Sequence, residues 1–198
     1  MSEELDEQPQ IQTASSGHGP LWHRDYRAEI SGSASTPEAL LNLVRADFAA
    51  FSPPELAAFH SERSTPLAVG DEMKVVIKGY GECTVRCVHL QANSFTLRTL
   101  DDHPEAGRIS FGSYRENGNL VFRISSRARA TDRLRHAGYK LIGQKMQTQT
   151  WLEFLKNVVE KTGGEMVGKI RVRAREVRST LADLGELDTP TFIAKDRP

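Results

Sequence analysis

The sequence predicts an α+β domain in which one long helix closes a curved antiparallel sheet of about six strands. Three observations predict this class of fold. Residues 71–128 break into short segments rich in β-branched and aromatic residues, with turn residues between them. Residues 131–161 carry apolar residues at helical spacing, and no other predicted helix is long enough to cover a sheet. Residues 21–30 alternate as a half-buried strand ahead of both segments.

Strands are predicted where hydrophobicity alternates. In residues 21–30, Arg24 shares a face with apolar residues, and other charged residues occupy the opposite face. The apolar residues of this face are Trp22, Tyr26, Ala28 and Ile30. Further strands are expected over residues 71–80, 81–90, 94–100, 107–115 and 120–128. Because short turns such as Asn117-Gly118 separate them, neighbouring strands should run antiparallel.

Two short helices are expected after the first strand. Ser35 or Thr36 can cap the first helix, and Pro37 fits its first turn. The apolar face of this helix would consist of Leu40, Leu43, Val44 and Phe48. Ser52 and Glu55 have the spacing of a capping box, which predicts a second short helix that starts at Ser52.

The long helix, residues 131–161, would begin at the N-cap Thr131 and end at the pair Gly163-Gly164. A polar turn interrupts its apolar stripe and contains Gln144, Lys145 and Thr148. Two interpretations stay open. A kink or exposed turn at Gly143 would let Met146 face inward. Alternatively, the polar side chains point into a cavity rather than a dry core.

Composition divides the chain into three parts. Residues 1–20 are acidic and then rich in Gln, Ser and Gly, which predicts a disordered tail. Residues 21–163 hold the α+β domain. Residues 164–198 form a basic extension, in which an amphipathic helix over residues 164–185 and then a tail are expected. The alternation within residues 169–177 leaves a strand as the alternative to this helix.

Charge is balanced overall but unevenly placed. Basic and acidic residues both total 26, so the formal net charge is zero. We therefore do not expect nucleic-acid binding over the whole surface. A dense basic segment can meet an acidic partner, nucleic acid or anionic lipid, or it can be a solvated helix face. Its residues are Lys169, Arg171, Arg173, Arg175 and Arg178.

The sequence contains no zinc-ligand pattern, phosphate-binding loop, catalytic-serine motif or dinucleotide fingerprint. We therefore expect no metal and no cofactor, and the usual hydrolases, kinases and dinucleotide enzymes are disfavoured. Cys83 and Cys87 would share a strand face about 13 Å apart, which suits core residues and not a disulfide. The chain has no apolar run long enough to span a bilayer and no signal-peptide pattern, which predicts a cytoplasmic protein.

The order of elements resembles the helix-grip fold of START-type lipid-transfer domains, birch-pollen-allergen-like proteins and polyketide cyclases. Residues 99–111 carry a sharper likeness, to an uncharacterised bacterial and plant family of unknown function in that superfamily. The matching residues are Thr99, Leu100, His103, Pro104, Glu105, Gly107 and Phe111. Arg108 and Ile109 stand where that family has an acidic pair, so no role of those carboxylates carries over. The likeness covers residues 70–160 and implies a fold but no reaction.

Candidate functional residues come from this segment and from the polar turn of the long helix. His103 and Glu105 can perform acid–base work or clamp a polar ligand, or they can simply shape a turn around Pro104. An inward Arg98 would need an anionic ligand or a carboxylate, whereas an outward Arg98 needs nothing. The complete set of candidate ligand-binding residues is His103, Glu105, Arg98, Gln144, Lys145 and Thr148.

The leading hypothesis is a protein that binds a small, largely apolar or amphipathic molecule between the sheet and the long helix. A cyclase-like or hydrolase-like enzyme that uses His103 and Glu105 is the first alternative, although no catalytic motif supports it. The second alternative is an interaction module that acts through the basic segment 169–178. The sequence does not define the ligand or the oligomeric state.

Overall fold

In the computed structural model, a sheet of nine strands packs against two α-helices. The structure describes residues 10–61, 66–131 and 133–177. For residues 133–144 it describes the backbone of the helix but not the side chains. The strands are β1 (His18–Ser31), β2 (Ala57–Ser61), β3 (Glu72–Ile77), β4 (Gly81–Gln91), β5 (Ser94–Thr99), β6 (Glu105–Glu116), β7 (Asn119–Ala130), β8 (Glu165–Met166) and β9 (Arg171–Val177). The helices are α1 (Pro37–Ala46) and α2 (Arg133–Lys161). The α+β class is confirmed, but the expected count of about six strands was too low, since β2, β8 and β9 are additional.

All strand pairs are antiparallel, in the order β2-β3-β4-β5-β6-β7-β1-β8, with β9 also paired to β1. β1 therefore lies beyond β7, and the first and last strands share one end of the sheet. The β6–β7 hairpin turns at Asn117 (φ 50°) and Gly118 (φ 81°). Two consecutive positive φ angles are typical of the type I′ turn that an Asn-Gly pair favours.

From Arg24 onward β1 alternates between the two faces of the sheet, as its sequence predicts. The buried positions of this part, which packs toward α2, are Arg24, Tyr26, Ala28 and Ile30, whereas Trp22, predicted on the same face, is only partly buried and its neighbour Leu21 is buried. The alternate positions, such as His23, Asp25 and Arg27, lie on the outer face. Arg24 is therefore a cation on the apolar face of the sheet, and it needs a partner there.

α1 begins where its capping residues predict. Thr36 Oγ1 accepts a hydrogen bond of 3.1 Å from the backbone N–H of Ala39, and Pro37 is the first helical residue. The helix buries Leu40, Leu41 and Val44. Leu43, which was expected on the apolar face, is exposed.

The second short helix predicted from Ser52 is wrong. A 3-10 helix spans Phe48–Phe51, and the chain then enters β2 at Ala57. Ser52 caps no helix there, because its Oγ donates a hydrogen bond of 2.7 Å to the Ala57 carbonyl. Pairing of β2 with β3 outweighs the local preference that the capping-box spacing indicates.

α2 covers the inner face of the sheet, which confirms the long closing helix. Phe154 is fully buried, and its ring centroid lies 5.1 Å from that of Phe48, 5.7 Å from that of Phe111 and 5.8 Å from that of Trp151. Each such pair adds ~0.5–1.5 kcal/mol beyond area burial. The buried face is rotated relative to the predicted stripe, since Leu152 is only partly buried.

Residues 10–20, predicted as part of a disordered tail, take part in the fold. The backbone N–H of Gln12 donates to the Thr99 carbonyl at 2.8 Å, and its side-chain amide donates to the Leu100 carbonyl. Ala14 is buried, and β1 already starts at His18. Residues 1–9 lie outside the described residues.

The helix predicted over residues 164–185 is wrong where the structure describes this segment. β8 and β9 occupy it instead, and both pair antiparallel with β1. The alternative prediction of a strand is confirmed over Arg171–Val177. Because arginines recur there at every second residue, they match the two-residue period of a strand. Residues 178–198, including Arg178, lie outside the described residues.

Cys83 and Cys87 are fully buried free thiols, which confirms their prediction as core residues. Burial raises the pKa of the Cys83 thiol to about 12 and that of the Cys87 thiol to about 11. Neither described helix combines the length and the apolar character of a bilayer-crossing segment.

Candidate functional site

A cavity of about 90 Å³ lies between the inner face of the sheet and α2. Its apolar lining comes mainly from β2 to β5 and includes Phe59, Val75, Val85 and Leu97. Its polar lining comes from the end of β5, the turn before β6, β6, β7 and α2, and includes Arg98, Thr99, His103, Glu105, Arg108, Ser126, Gln147, Thr150 and Trp151. The part lined by β2 to β5 is mainly apolar and is called the apolar side, and the part lined by the His103 turn, β6, β7 and α2 is called the polar side.

Glu105 anchors the polar side. Its side chain is 9% exposed, and Arg24 Nη1 lies 3.4 Å from Oε1. Gln147 Nε2 donates a hydrogen bond of 2.8 Å to Oε2. Three elements, β1, β6 and α2, therefore meet at one buried carboxylate. Since a buried charge is tolerated only when paired and hydrogen-bonded, Arg24 and Gln147 hold Glu105 in place.

A second polar contact joins β1 to α2 beside this network. The hydroxyl of the fully buried Tyr26 lies near the Thr148 side chain. Burial raises the pKa of the Tyr26 hydroxyl, and the Thr148 side chain and the Arg24 cation only partly oppose this rise. Tyr26 therefore remains a neutral phenol at physiological pH.

His103 shapes the turn before β6 and also borders the cavity. Its Nδ1 accepts a hydrogen bond of 3.0 Å from the Glu105 backbone N–H. Burial lowers the pKa of His103, against the opposing effects of the Glu105 and Asp102 carboxylates. The ring is thus neutral at physiological pH. Nδ1 also lies 3.1 Å from the Glu105 carbonyl oxygen, so both contacts of this nitrogen are with the backbone of Glu105.

Several buried polar atoms of cavity-lining residues have no hydrogen-bond partner among the residues that the structure describes. Three of them are Ser126 Oγ, Gln147 Oε1 and Trp151 Nε1. An unsatisfied buried group costs ~1–3 kcal/mol. The three atoms include the indole donor, the amide acceptor and a hydroxyl that can act as either. A bound molecule with both a donor and an acceptor would satisfy them.

The structure brings some of the sequence-predicted site residues together and separates others. His103 and Glu105 both line the cavity. Thr148 reaches Tyr26 beside it, whereas Lys145 is exposed on α2. The side chain of Gln144 lies outside the described residues.

Arg98 borders the cavity with its backbone. The strand register places it directly opposite Arg86 and Arg108, on the face opposite to that of the cavity-lining Leu97. Its guanidinium therefore lies on the outer side of the sheet. The inward arginine, which the sequence argument required to have a carboxylate partner, is Arg24 and not Arg98.

Sequence reasoning missed Arg24 and Gln147, although both left a signal. Arg24 lies on the apolar face of β1, where a charge calls for a buried partner. Gln147 lies one turn before Trp151, in the helical stripe that continues through Phe154 and Val158. Extending this stripe backwards would have placed Gln147 inside. Ser126 left no such signal, because a serine on a strand face is common.

This arrangement can bind and orient a small molecule. The Glu105 charge is already balanced by Arg24, so the site favours a neutral polar group over an ion. Among the described residues, no group of three or more His, Cys, Asp or Glu side chains is arranged to hold a metal ion.

The structure is similar to solved structures of very different sequence. The KanY protein, solved by NMR, superposes with a TM-score of 0.55 and 8% identity over 74% of this chain and 100% of its own. Ginseng major latex-like protein 151 from Panax ginseng superposes with a TM-score of 0.53 and 11% identity over 73% of this chain and 99% of its own. The di-domain ARO/CYC StfQ from the steffimycin biosynthetic pathway superposes with a TM-score of 0.52 and 10% identity over 72% of this chain and 51% of StfQ.

These similarities show the fold alone, because the identities are so low. The helix-grip fold is thereby confirmed for this chain. No protein-family model matches the sequence, and no curated protein sequence does. Membership of the particular family that residues 99–111 resemble therefore stays a prediction.

Proposed function

We propose that this protein binds a small, neutral, amphipathic molecule in the cavity between the sheet and α2. The observation that carries the proposal is the set of three partnerless buried polar atoms around a cavity with one apolar side. A ligand with a hydroxyl or amide group would hydrogen-bond to Ser126, Gln147 or Trp151. Its hydrocarbon part would lie against residues such as Phe59 and Val85.

The cavity volume limits the ligand. At about 90 Å³ the cavity is smaller than the ~300–1,000 Å³ typical of sites for drug-sized ligands. A short-chain alcohol or amide is the size that fits, or the end group of a larger molecule. Water competes for the same space, since the site is polar and large enough to hold it. The apolar side favours a ligand with a hydrocarbon part over water.

A titration of the full chain followed by two-dimensional NMR tests this proposal. The ligands are short-chain alcohols and amides, each compared with the alkane of the same chain length. Signals of Ser126, Gln147 and the Trp151 indole N–H should shift with the alcohols and amides, and the alkanes should bind more weakly. If no member of the panel shifts these signals, the proposal is wrong.

A variant makes the test specific to the polar side. Ser126→Ala removes the hydroxyl and adds no atom to the cavity. It should weaken alcohol binding about tenfold, as expected for one lost hydrogen bond, and change alkane binding by less than about twofold. Ser125→Ala, on the outer face of the same strand, is the matched control and should leave both affinities unchanged. Equal losses for alcohol and alkane would contradict the assigned role of Ser126.

Acid–base catalysis by His103 and Glu105 is a second candidate, because both residues line the same cavity. It is less favoured, since His103 Nδ1 is engaged by the turn and the Glu105 carboxylate by Arg24 and Gln147. Mass spectrometry of a bound ligand after long incubation distinguishes the two functions. An unchanged ligand supports binding alone, and a chemically altered one supports catalysis.

A further inference from the structure

β9 is an edge strand with an unusual surface. It runs antiparallel to β1, and within the described part of the chain it pairs with β1 alone. Residues 171–176 are all exposed. A strand with one unpaired side presents backbone N–H and C=O groups on which another strand can add.

The outer face of β9 carries three arginines at alternate positions. Arg171, Arg173 and Arg175 lie directly opposite the β1 residues Arg27, Asp25 and His23. Together with side chains of β6 and β7 they line an open groove of about 700 Å³. The arginines are about 6.7 Å apart along the strand, the repeat of every second residue in an extended chain.

The acidic groups of this groove are already used by other arginines. Asp25 accepts a hydrogen bond of 2.7 Å from Arg123 Nε, and Arg27 pairs with Glu116. Arg173 and Arg175 form no ion pair with any described residue. Arg171 Nη2 lies 3.9 Å from Glu29 Oε2, which is a long contact, and Arg27 also contacts this carboxylate. Positive charge is thus left over on β9.

The pKa of His23 is also affected by this positive charge. Burial, which is the largest cause, and the Arg127 and Arg175 cations together lower the pKa of His23 to about 4, and the Asp25 carboxylate opposes this shift less strongly. The local potential is positive although the whole chain is neutral.

The other face of β9 is open and carries Val172, Ala174 and Glu176. Val172 is 42% exposed, and Ala174 and Glu176 are exposed as well. Strand residues alternate between faces, so an added strand would meet arginines on one face and Val172 with Ala174 on the other. The surface therefore presents two alternating chemistries and a free backbone edge.

Two other occupants fit this surface less well. A second copy of the chain, pairing β9 with β9 about a two-fold axis, would place arginine opposite arginine, and like charges directly opposite destabilise a sheet. Nucleic acid would find charges but little to stack on, since Tyr114 is the aromatic residue of the groove and Arg27 already lies 5.9 Å from its ring centroid.

We propose that β9 receives an extended peptide segment in which acidic residues alternate with apolar residues. The segment adds to the sheet as a further strand. Its carboxylates lie opposite Arg171, Arg173 and Arg175, and its apolar side chains cover Val172 and Ala174. Main-chain hydrogen bonds supply affinity, and the alternation of side chains sets the register.

Fluorescence anisotropy with a labelled peptide of alternating glutamate and valine tests this proposal on the full chain. The comparison probes are a peptide of the same composition in two blocks, a peptide N-methylated at alternate amides, and a single-stranded oligonucleotide. The alternating peptide should bind most tightly, with an affinity that falls as salt rises. Methylation should abolish binding, because it removes the main-chain donors of the added strand.

The double variant Arg173→Glu, Arg175→Glu should weaken the alternating peptide at least about tenfold. Lys74→Glu is the matched control, since Lys74 is an exposed cation on β3, far along the same sheet, and it should change the affinity by less than about twofold. Circular dichroism of each variant verifies that it folds.

Three outcomes would overturn the proposal. Equal binding of the methylated peptide would show charge attraction without strand addition. Tighter binding of the oligonucleotide would assign the surface to nucleic acid. Dimerisation of the full chain that the double variant abolishes would assign it to a second copy.

Discussion

The side-chain amide of Gln147 donates a hydrogen bond of 2.8 Å to Glu105, and this contact ties α2 to the first residue of β6. Its donor and acceptor come from segments 42 positions apart in the chain. The amide acts on a carboxylate that already has Arg24 as a counter-ion, and it satisfies the second oxygen. Gln147 therefore connects the closing helix to the polar side of the cavity.

Gln147→Leu should lower the free energy of unfolding by about 1–3 kcal/mol, because it leaves one oxygen of a buried carboxylate without its donor. Urea denaturation measures this loss. Gln149→Leu is the matched control, since Gln149 is exposed on the same helix and, among the described residues, donates a side-chain hydrogen bond to Glu153 on that helix. The control should change stability by less than about 0.5 kcal/mol. Equal effects would show that the contact with Glu105 contributes nothing.

The ion pair between Arg24 and Glu105 should show strong energetic coupling. Arg24→Met leaves a buried carboxylate without a counter-charge and should cost about 3–5 kcal/mol. Combining it with Glu105→Gln removes that charge, so the double variant should be more stable than the sum of the single losses predicts.

A double-mutant cycle by urea denaturation measures this coupling, which we expect at about 1–3 kcal/mol. The exposed pair of Lys74 and Glu82, 3.2 Å apart, supplies the control cycle with Lys74→Met and Glu82→Gln. Its coupling should lie at about 0–1 kcal/mol. A buried coupling no larger than this would refute the role given to Arg24.

Most of the fold was accessible from the sequence, because local patterns and tertiary packing agree there. The alternation of β1 and the Asn117-Gly118 turn each indicate the structure that forms. The prediction failed where long-range pairing decided the structure. The spacing of Ser52 fits a helix cap, but the pairing of β2 with β3 decides its structure. The pattern of residues 171–177 fits both a helix and a strand, and the pairing of β9 with β1 makes it a strand.

The site was predicted only in part, for a related reason. His103 and Glu105 stand in one distinctive turn and could be found locally. Their partners Arg24 and Gln147 come from β1 and α2, and only the packing of those elements brings them together. The predicted polar residues Gln144, Lys145 and Thr148 belong to the same helical turn as Gln147, which lines the cavity. The rotation of the helix about its axis then decided that Gln147 faces the cavity.

Gly107 should tolerate no side chain. A Cβ at this position would lie 2.2 Å from the Arg127 carbonyl oxygen and 2.7 Å from the Ala128 Cα. Its N–H also donates to Thr99 Oγ1 at 3.0 Å, which holds β6 against β5. Gly107→Ala should therefore push β6 away from β7 and cost about 2–4 kcal/mol in unfolding free energy.

Gly118→Ala is the control for this prediction, because Gly118 has a positive φ of 81° but open space around its Cβ position. It should cost only about 1–2 kcal/mol, the strain of a left-handed alanine. Thermal and urea unfolding of both variants measure the difference. A loss in Gly107→Ala no larger than that in Gly118→Ala would show that β6 adjusts to the added atom.

Stability should fall as the pH drops from about 6.5 to about 4, and His23 should contribute to this fall. Its pKa is about 4 in the folded protein and near 6.5 in the unfolded chain, so between these values the unfolded state binds more protons. The contribution is present above pH 6.5 and is lost as the pH falls toward 4. Since His23 is partly exposed, we expect about 1–2 kcal/mol from it.

His23→Gln should therefore reduce the difference in unfolding free energy between pH 7 and pH 4, as measured by urea denaturation at both values. His103, whose pKa is also lowered, retains its own contribution in this variant. NMR titration of the His23 ring should give a midpoint near 4 in the wild type. Arg175→Gln should raise that midpoint, because it removes a cation next to the ring. An unchanged midpoint would mean that Arg175 of β9 does not act on the His23 ring of β1.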